Sequence, residues 1–307
     1  LGNPNFLSAF LAFFGIYLIS EMLTVSKLLT KANFLYLLIL IWDVVLVYLT
    51  KSIQGLVVLA FGLLFLFYLK YFAKTSIRLK LLLVALIMPV VLIVSLGFIG
   101  KGPLGSELFQ STLKVRTYYW DAAIKMMRSK PFTGYGFDTL GDWYRFFRGP
   151  EAATKYGPDM VTNAAHNVYL DFAAFGGLPL LLSILSLHIY ICYRGWRHIS
   201  NVEKVSVEFG LVYTLWLAYV LQALVSMNSL GIAIWGYIFG GLTLALANRT
   251  VDSEAPRSNK YQSSRVFTST LVSFSLIVGF FISYPLFDKD HKFRQIFAGG
   301  DGATILN

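Results

Sequence analysis

The chain is short of charge, of cysteine and of polar surface in general. Only 14% of its 307 residues are Asp, Glu, Lys or Arg, against about 25% in a soluble domain, while 56% are hydrophobic. A water-soluble globule has nowhere to hide that much apolar surface. The single cysteine, Cys192, rules out an internal disulfide and a Cys-based metal site. It sits near the end of an apolar run and reads as a small buried or lipid-facing residue. Alternating short hydrophobic segments are also missing, which excludes a membrane β-barrel. What the sequence does have is apolar runs of about 20 residues, the length a helix needs to cross a hydrocarbon layer of about 30 Å.

Such runs recur near residues 5–23, 33–50, 53–72, 79–99, 167–193, 206–226, 229–248 and 266–287. They predict an all-α polytopic membrane bundle of about eight spans. The net charge of +10 would suggest nucleic acid in a soluble protein, but here the cations lie in short links between spans, where they set orientation. Lys70, Lys74, Arg78 and Lys80 occupy one link, and Arg194, Arg197 and Lys204 a second. Arg249, Arg257, Lys260 and Arg265 occupy a third, and Lys27 and Lys31 a fourth. These alternate links read as cytoplasmic. The Lys51 turn, the long segment 100–165, the Met227–Asn228 turn and both chain ends then face the other side. The opening Leu1-Gly2-Asn3-Pro4-Asn5 lacks the basic flank of a signal peptide and reads as a turn between two spans. Further helices are therefore expected ahead of it. The polar tail from Asp288, with Phe293, Ile296 and Phe297 at helical spacing, reads as the start of a soluble outer domain. The organisation expected is thus 1–99 as a four-span part, 100–165 as an outer loop, 166–250 as a three-span part, 251–287 as a link and last span, and 288–307 as the tail.

The outer loop is where chemistry is expected. Loops longer than about 12–15 residues are usually functional or disordered, and this one is too aromatic for disorder, with Tyr118, Tyr119, Trp120, Trp143, Tyr144, Phe146 and Phe147 among its residues. Residues 112–129 have the period of an amphipathic helix that Pro131 stops. On that helix Arg116, Tyr119, Trp120 and Ala123 share a side. The Arg116 guanidinium offers a fixed fork of donors suited to phosphate oxygens. The turn Pro131-Phe132-Thr133-Gly134-Tyr135-Gly136 has two glycines through which backbone N–H groups can approach an anion, or which simply make a tight turn. His166 closes the loop, and an imidazole there can accept a hydroxyl proton near neutral pH. No second histidine or acidic cluster lies near it in sequence, so no metal site is expected. Lys51 and the Gln54 amide lie on a tight outer turn, within reach of phosphate or sugar. Asp43 sits inside the second span, where an acid is a functional candidate by default.

Taken in order, these pieces resemble the bacterial O-antigen ligase and O-antigen polymerase superfamily. The resemblance rests on Gly2-Asn3-Pro4-Asn5, the Thr50-x-Ser52 turn, Arg116-x-x-x-Trp120, Pro131-x-x-Gly134-x-Gly136, His166-Asn167-x-Tyr169-Leu170 and the Gly176-Gly177 pair. It implies a glycosyltransferase with no metal or other cofactor, on the periplasmic side of the bacterial inner membrane. Such an enzyme moves a glycan from an undecaprenyl-diphosphate carrier to the hydroxyl of an acceptor such as lipid A–core. By that resemblance Arg116 grips the donor diphosphate and His166 is the general base. Lys51, Gln54, Trp120, Tyr135, Asn167 and Tyr169 are the candidates for substrate contact. The family often carries an arginine after the Ser of the Thr-x-Ser turn, where this chain has Ile53 and Gln54. The sibling activities, glycan polymerisation and protein O-glycosylation, remain open at this point. So does a different class, a transporter of lipid-linked glycans, although that would call for more charge inside the spans.

Overall fold

The computed structural model describes residues 3–24, 30–98, 100–103, 105 and 111–249, with positions 270, 273 and 277 beyond them. Among the described residues all regular structure is helical. Membrane-length apolar runs give α1 (Pro4–Thr24), α2 (Lys31–Leu49), α3 (Ile53–Tyr71) and α4 (Ile77–Phe98). The long segment after α4 forms α5 (Ser111–Ser129), α6 (Leu140–Phe147) and α7 (Pro150–Tyr156), and α8 (Val168–Asn201), α9 (Val207–Ala223) and α10 (Leu230–Arg249) follow. All ten belong to one compact unit, Leu1–Val251.

Five helices, α1, α2, α3, α8 and α10, are long and apolar enough to cross a membrane, and α9 is a shorter apolar helix. The chain is a multi-pass membrane protein. Seven of the eight apolar runs coincide with helices. The eighth, 266–287, the link 251–265 and the tail 288–307 fall outside the described residues apart from the three isolated positions. One boundary differs from the sequence reading. The fifth run continues as helix through Arg194 and Arg197 to Asn201 instead of ending near 193. The guanidiniums are accommodated because each bonds a tyrosine hydroxyl one turn back, Arg194 to Tyr190 at 3.3 Å and Arg197 to Tyr193 at 3.2 Å. Their apolar stems stay on the helix while the charged heads reach outward.

Packing follows from small residues. α1 lies against α2 and α3, and α9 lies against α1, α3 and α10. At the α1–α3 crossing a Cβ on Gly62 would stand 2.2 Å from Ile16 Cγ1, so only glycine allows this approach. The α5–α7 segment has a core of its own, built from Ala122, Ala123 and Met126 of α5 and Leu140 and Tyr144 of α6, together with Ala165 and Ala174. The amphipathic helix expected at 112–129 is therefore α5, and it turns Ala122 and Met126 inward as its period requires.

Candidate catalytic site at the loop–bundle junction

The first turn of α8 holds His166 from both sides. Asn167 is the N-cap, and its Oδ1 accepts from the N–H groups of Tyr169 at 3.0 Å and Leu170 at 3.1 Å. Asp171 reaches back from inside the helix, and its Oδ1 accepts from the Ala165 N–H at 2.6 Å. The residue between them takes φ +56°, a left-handed conformation that costs energy for a non-glycine residue and is kept only where its neighbours enforce it. The imidazole stacks on Tyr119 of α5, with ring centroids 5.8 Å apart and planes 27° from parallel.

Arg116 lies one turn before Tyr119 on α5, nearly buried. Its Nη1 donates to the Val225 carbonyl at 2.8 Å. That carbonyl lies in the turn just past the C-cap of α9, beside a helix end whose last oxygens have no intrahelical partner and whose dipole is negative. Two other elements satisfy the same end: Gln54 Nε2 donates to Val225 O at 3.1 Å, and Asn167 Nδ2 to Leu224 O at 3.0 Å. Gln222 Nε2 in turn donates to Gln54 Oε1 at 3.1 Å. Arg116 and His166 are thus fixed to one anchor.

Among the described residues the one ion pair is Lys125–Asp121, so no carboxylate neutralises Arg116. Most of its donor fork is without a protein partner, an arrangement that attracts an anion. Burial lowers the Arg116 pKa, although the neighbouring Tyr119 partly offsets this. Burial first, and the Arg116 charge second, push the His166 pKa down to about 4. The imidazole is therefore neutral near pH 7 and free to accept a proton.

The other sequence candidates divide. Gln54, Asn167 and Trp120 belong to this region; the Trp120 Nε1 is buried without a hydrogen-bond partner. Tyr169 bonds His188 Nδ1 through its hydroxyl at 2.9 Å. It lines a groove of about 570 Å³ between α8 and α9 that starts at Asn167 and is walled mainly by leucines, Ile189, Val220 and Trp216, with His188 and Cys192 among them. Tyr135 sits in the glycine turn, its hydroxyl 2.8 Å from Ser129 Oγ and its ring 4.3 Å from the Lys130 ammonium. The N–H groups at and between the two glycines are spoken for: Gly134 donates to Lys130 O at 3.0 Å, Tyr135 to Ala174 O at 3.0 Å and Gly136 to Phe175 O at 2.9 Å. Of the two readings of that turn, the tight packing device is the one present. Lys51 is exposed with its ammonium 5.1 Å over the Tyr48 ring. Asp43 is buried on α2 against Gly15, its oxygens without a hydrogen-bond partner. Among the described residues no three His, Cys, Asp or Glu side chains gather as a metal site would need.

Sequence reasoning missed Asp171 and Gln222. Asp171 had a signal, a carboxylate four residues after an N-cap Asn. The two anchoring carbonyls had none, since any residue supplies a backbone oxygen. No curated protein matches the chain. A family model does: residues 35–185, from α2 into α8 and so including both Arg116 and His166, match the O-antigen ligase family, and the chain is a member of the O-antigen ligase superfamily.

Proposed function

We propose that this protein transfers a glycan from an undecaprenyl-diphosphate carrier to an acceptor hydroxyl at the periplasmic face of the bacterial inner membrane, as an O-antigen ligase acting on lipid A–core. The observation that carries the reading is the buried Arg116 guanidinium, bonded to a backbone carbonyl but neutralised by no carboxylate, beside a neutral His166. Displacing a sugar from a diphosphate needs a base for the attacking hydroxyl and fixed positive charge for the leaving group. His166 takes the hydroxyl proton, the acceptor oxygen bonds to the anomeric carbon, and the bond from that carbon to the diphosphate oxygen breaks. Arg116 holds the departing diphosphate. A basic imidazole is the better proton acceptor, and the donor supplies the correction: its negative charge offsets the Arg116 charge that depresses His166.

The apolar groove beginning at Asn167 suits the hydrocarbon chain of the carrier, which would enter sideways from the bilayer. Trp120 flanks the Arg116 end, one turn further along α5. The alternation of Lys- and Arg-rich links supports the orientation.

The test is transfer by the purified protein in lipid, with lipid-linked glycan and lipid A–core. His166→Ala and Arg116→Ala should each abolish product while still inserting and folding. Near-normal transfer by a stably inserted His166→Ala overturns the base assignment. Product on a longer carrier-linked chain moves the reading to a polymerase, and product on protein to an O-oligosaccharyltransferase. Activity should survive a chelator.

A further inference from the structure

A second cavity, of about 500 Å³, opens on the outer segment and is lined by Asp138, Gly141, Asp142, Arg145, Val161 and Asn163. The local fold explains why these groups converge. α6 turns Leu140 and Tyr144 into the loop core, which leaves Asp142 and Arg145 on its other side. Gly141 lets α6 press on the irregular segment before His166: a Cβ there would stand 3.3 Å from Asn163 Oδ1 and 3.5 Å from Thr162 O. Asp138 is held in the left-handed region at φ +59° and lies close enough to Asp171 for their charges to interact. Four side chains with strong hydrogen-bonding groups thus meet at one cleft. Among the described residues, none of the four has a side-chain hydrogen bond or ion pair with the protein.

The charges define the occupant. Two carboxylates against one guanidinium repel a diphosphate, so this cleft does not duplicate the Arg116 site. Carboxylates accept hydrogen bonds from hydroxyls, while the Arg145 guanidinium and the Asn163 amide donate to hydroxyl and ring oxygens. That set matches a polyhydroxylated ligand of no net negative charge. Asn163 is three residues from His166, at most about 10 Å of chain, so a short glycan seated here reaches the base. We propose that the cleft is a subsite for sugar residues of one of the two reacting glycans, with Asp142 and Arg145 as its specificity-determining contacts. This inference rests on the glycan-transfer reading for its substrate class.

The test uses the full chain in nanodiscs and two probes: the oligosaccharide freed by mild acid from the source cell's lipid-linked glycan, and the delipidated oligosaccharide of the lipid A–core. Binding is followed by saturation-transfer NMR. The wild type should bind one of them. The Asp142→Asn/Arg145→Gln double variant should bind it at least about tenfold more weakly, since each lost charge-assisted hydrogen bond is worth about that factor. The KM for the matching substrate should rise by a similar factor with kcat little changed. Val161→Trp, which fills the cleft without altering its charge, should give the same loss. Binding of the freed donor glycan assigns the cleft to the donor, and binding of the core oligosaccharide assigns it to the acceptor. Failure of the wild type to bind either, or unchanged binding and unchanged KM values in folded variants, overturns the proposal. Because binding is read without turnover, a protein that binds sugar here but transfers nothing refutes the transfer reading and leaves the cleft standing.

Discussion

His166 carries an unusual electrostatic burden for a histidine at a loop end. Its ordinary pKa of 6.5 falls to about 4 through burial and then the Arg116 charge. In the unfolded chain it titrates near 6.5, so between about pH 6.5 and 4 the unfolded state binds a proton that the folded state refuses. Folded stability from this residue is therefore full above about pH 6.5 and is lost as the pH falls through that window. Melting temperature against pH should drop less steeply for His166→Gln than for the wild type over that range; parallel curves would mean the imidazole is not depressed. The same depression sets the acid side of activity. The acid limb of kcat/KM, which reports the free enzyme, should lie well below the usual histidine range. Arg116→Lys should lose most of the activity despite keeping the charge, because an ammonium can bond Val225 O or a phosphate but has no planar fork to span both.

Among the elements, the kink in α8 ties the α5–α7 segment to the bundle. Gly176 and Gly177 break the helix, and Gly177 adopts φ +65°, ψ −159°, a conformation essentially restricted to glycine. A Cβ there would stand 2.3 Å from Pro131 O, which accepts from Leu178 N–H at 2.7 Å. Gly134 is under the same constraint from the other side, with a hypothetical Cβ 2.3 Å from Phe175 O. The turn after α5 is thereby locked to the kink, and α5 delivers Arg116 to its place. Gly177→Ala should cost about 2 kcal/mol or more, seen as a lower melting temperature and faster proteolysis within 130–165. An unchanged cleavage rate would separate the kink from loop docking. Both glycine motifs were visible in the sequence as punctuation. Their mutual contact was not, because they are separated by α6 and α7, and spacing along the chain carries no information about which turn meets which kink. The helices themselves were legible because a membrane forces each one to declare itself as an unbroken apolar run, and α5 because its period places Ala122 and Met126 on one side.

At the scale of the whole molecule, Arg116 and His166 were legible as residue types and their meeting place was not. Three elements far apart in sequence converge on the end of α9: α3 through Gln54, α5 through Arg116 and the cap of α8 through Asn167, each donating to Leu224 or Val225 carbonyls. The spare carbonyls of a helix end made the junction, and they have no sequence signature. The sequence placed Gln54 and Lys51 together on one turn as candidates for substrate contact. The fold separates them, with Gln54 directed to Val225 and Lys51 exposed over Tyr48. The two positions therefore predict different outcomes. Gln54→Leu removes one of two donors from Val225 O and leaves the Gln222 amide without its acceptor, so Arg116 loses a fixed seat. Transfer should fall by about tenfold, on the scale of one lost buried hydrogen bond, in protein that still inserts. Lys51→Ala, taking away an exposed cation–π contact worth about 0.5–1 kcal/mol, should leave kcat and donor KM within about twofold. Kinetics of the two variants against varied donor decide the matter: a donor KM raised mainly by Lys51→Ala would return the diphosphate contact to the outer turn, and a loss confined to Gln54→Leu keeps it at the α9 anchor.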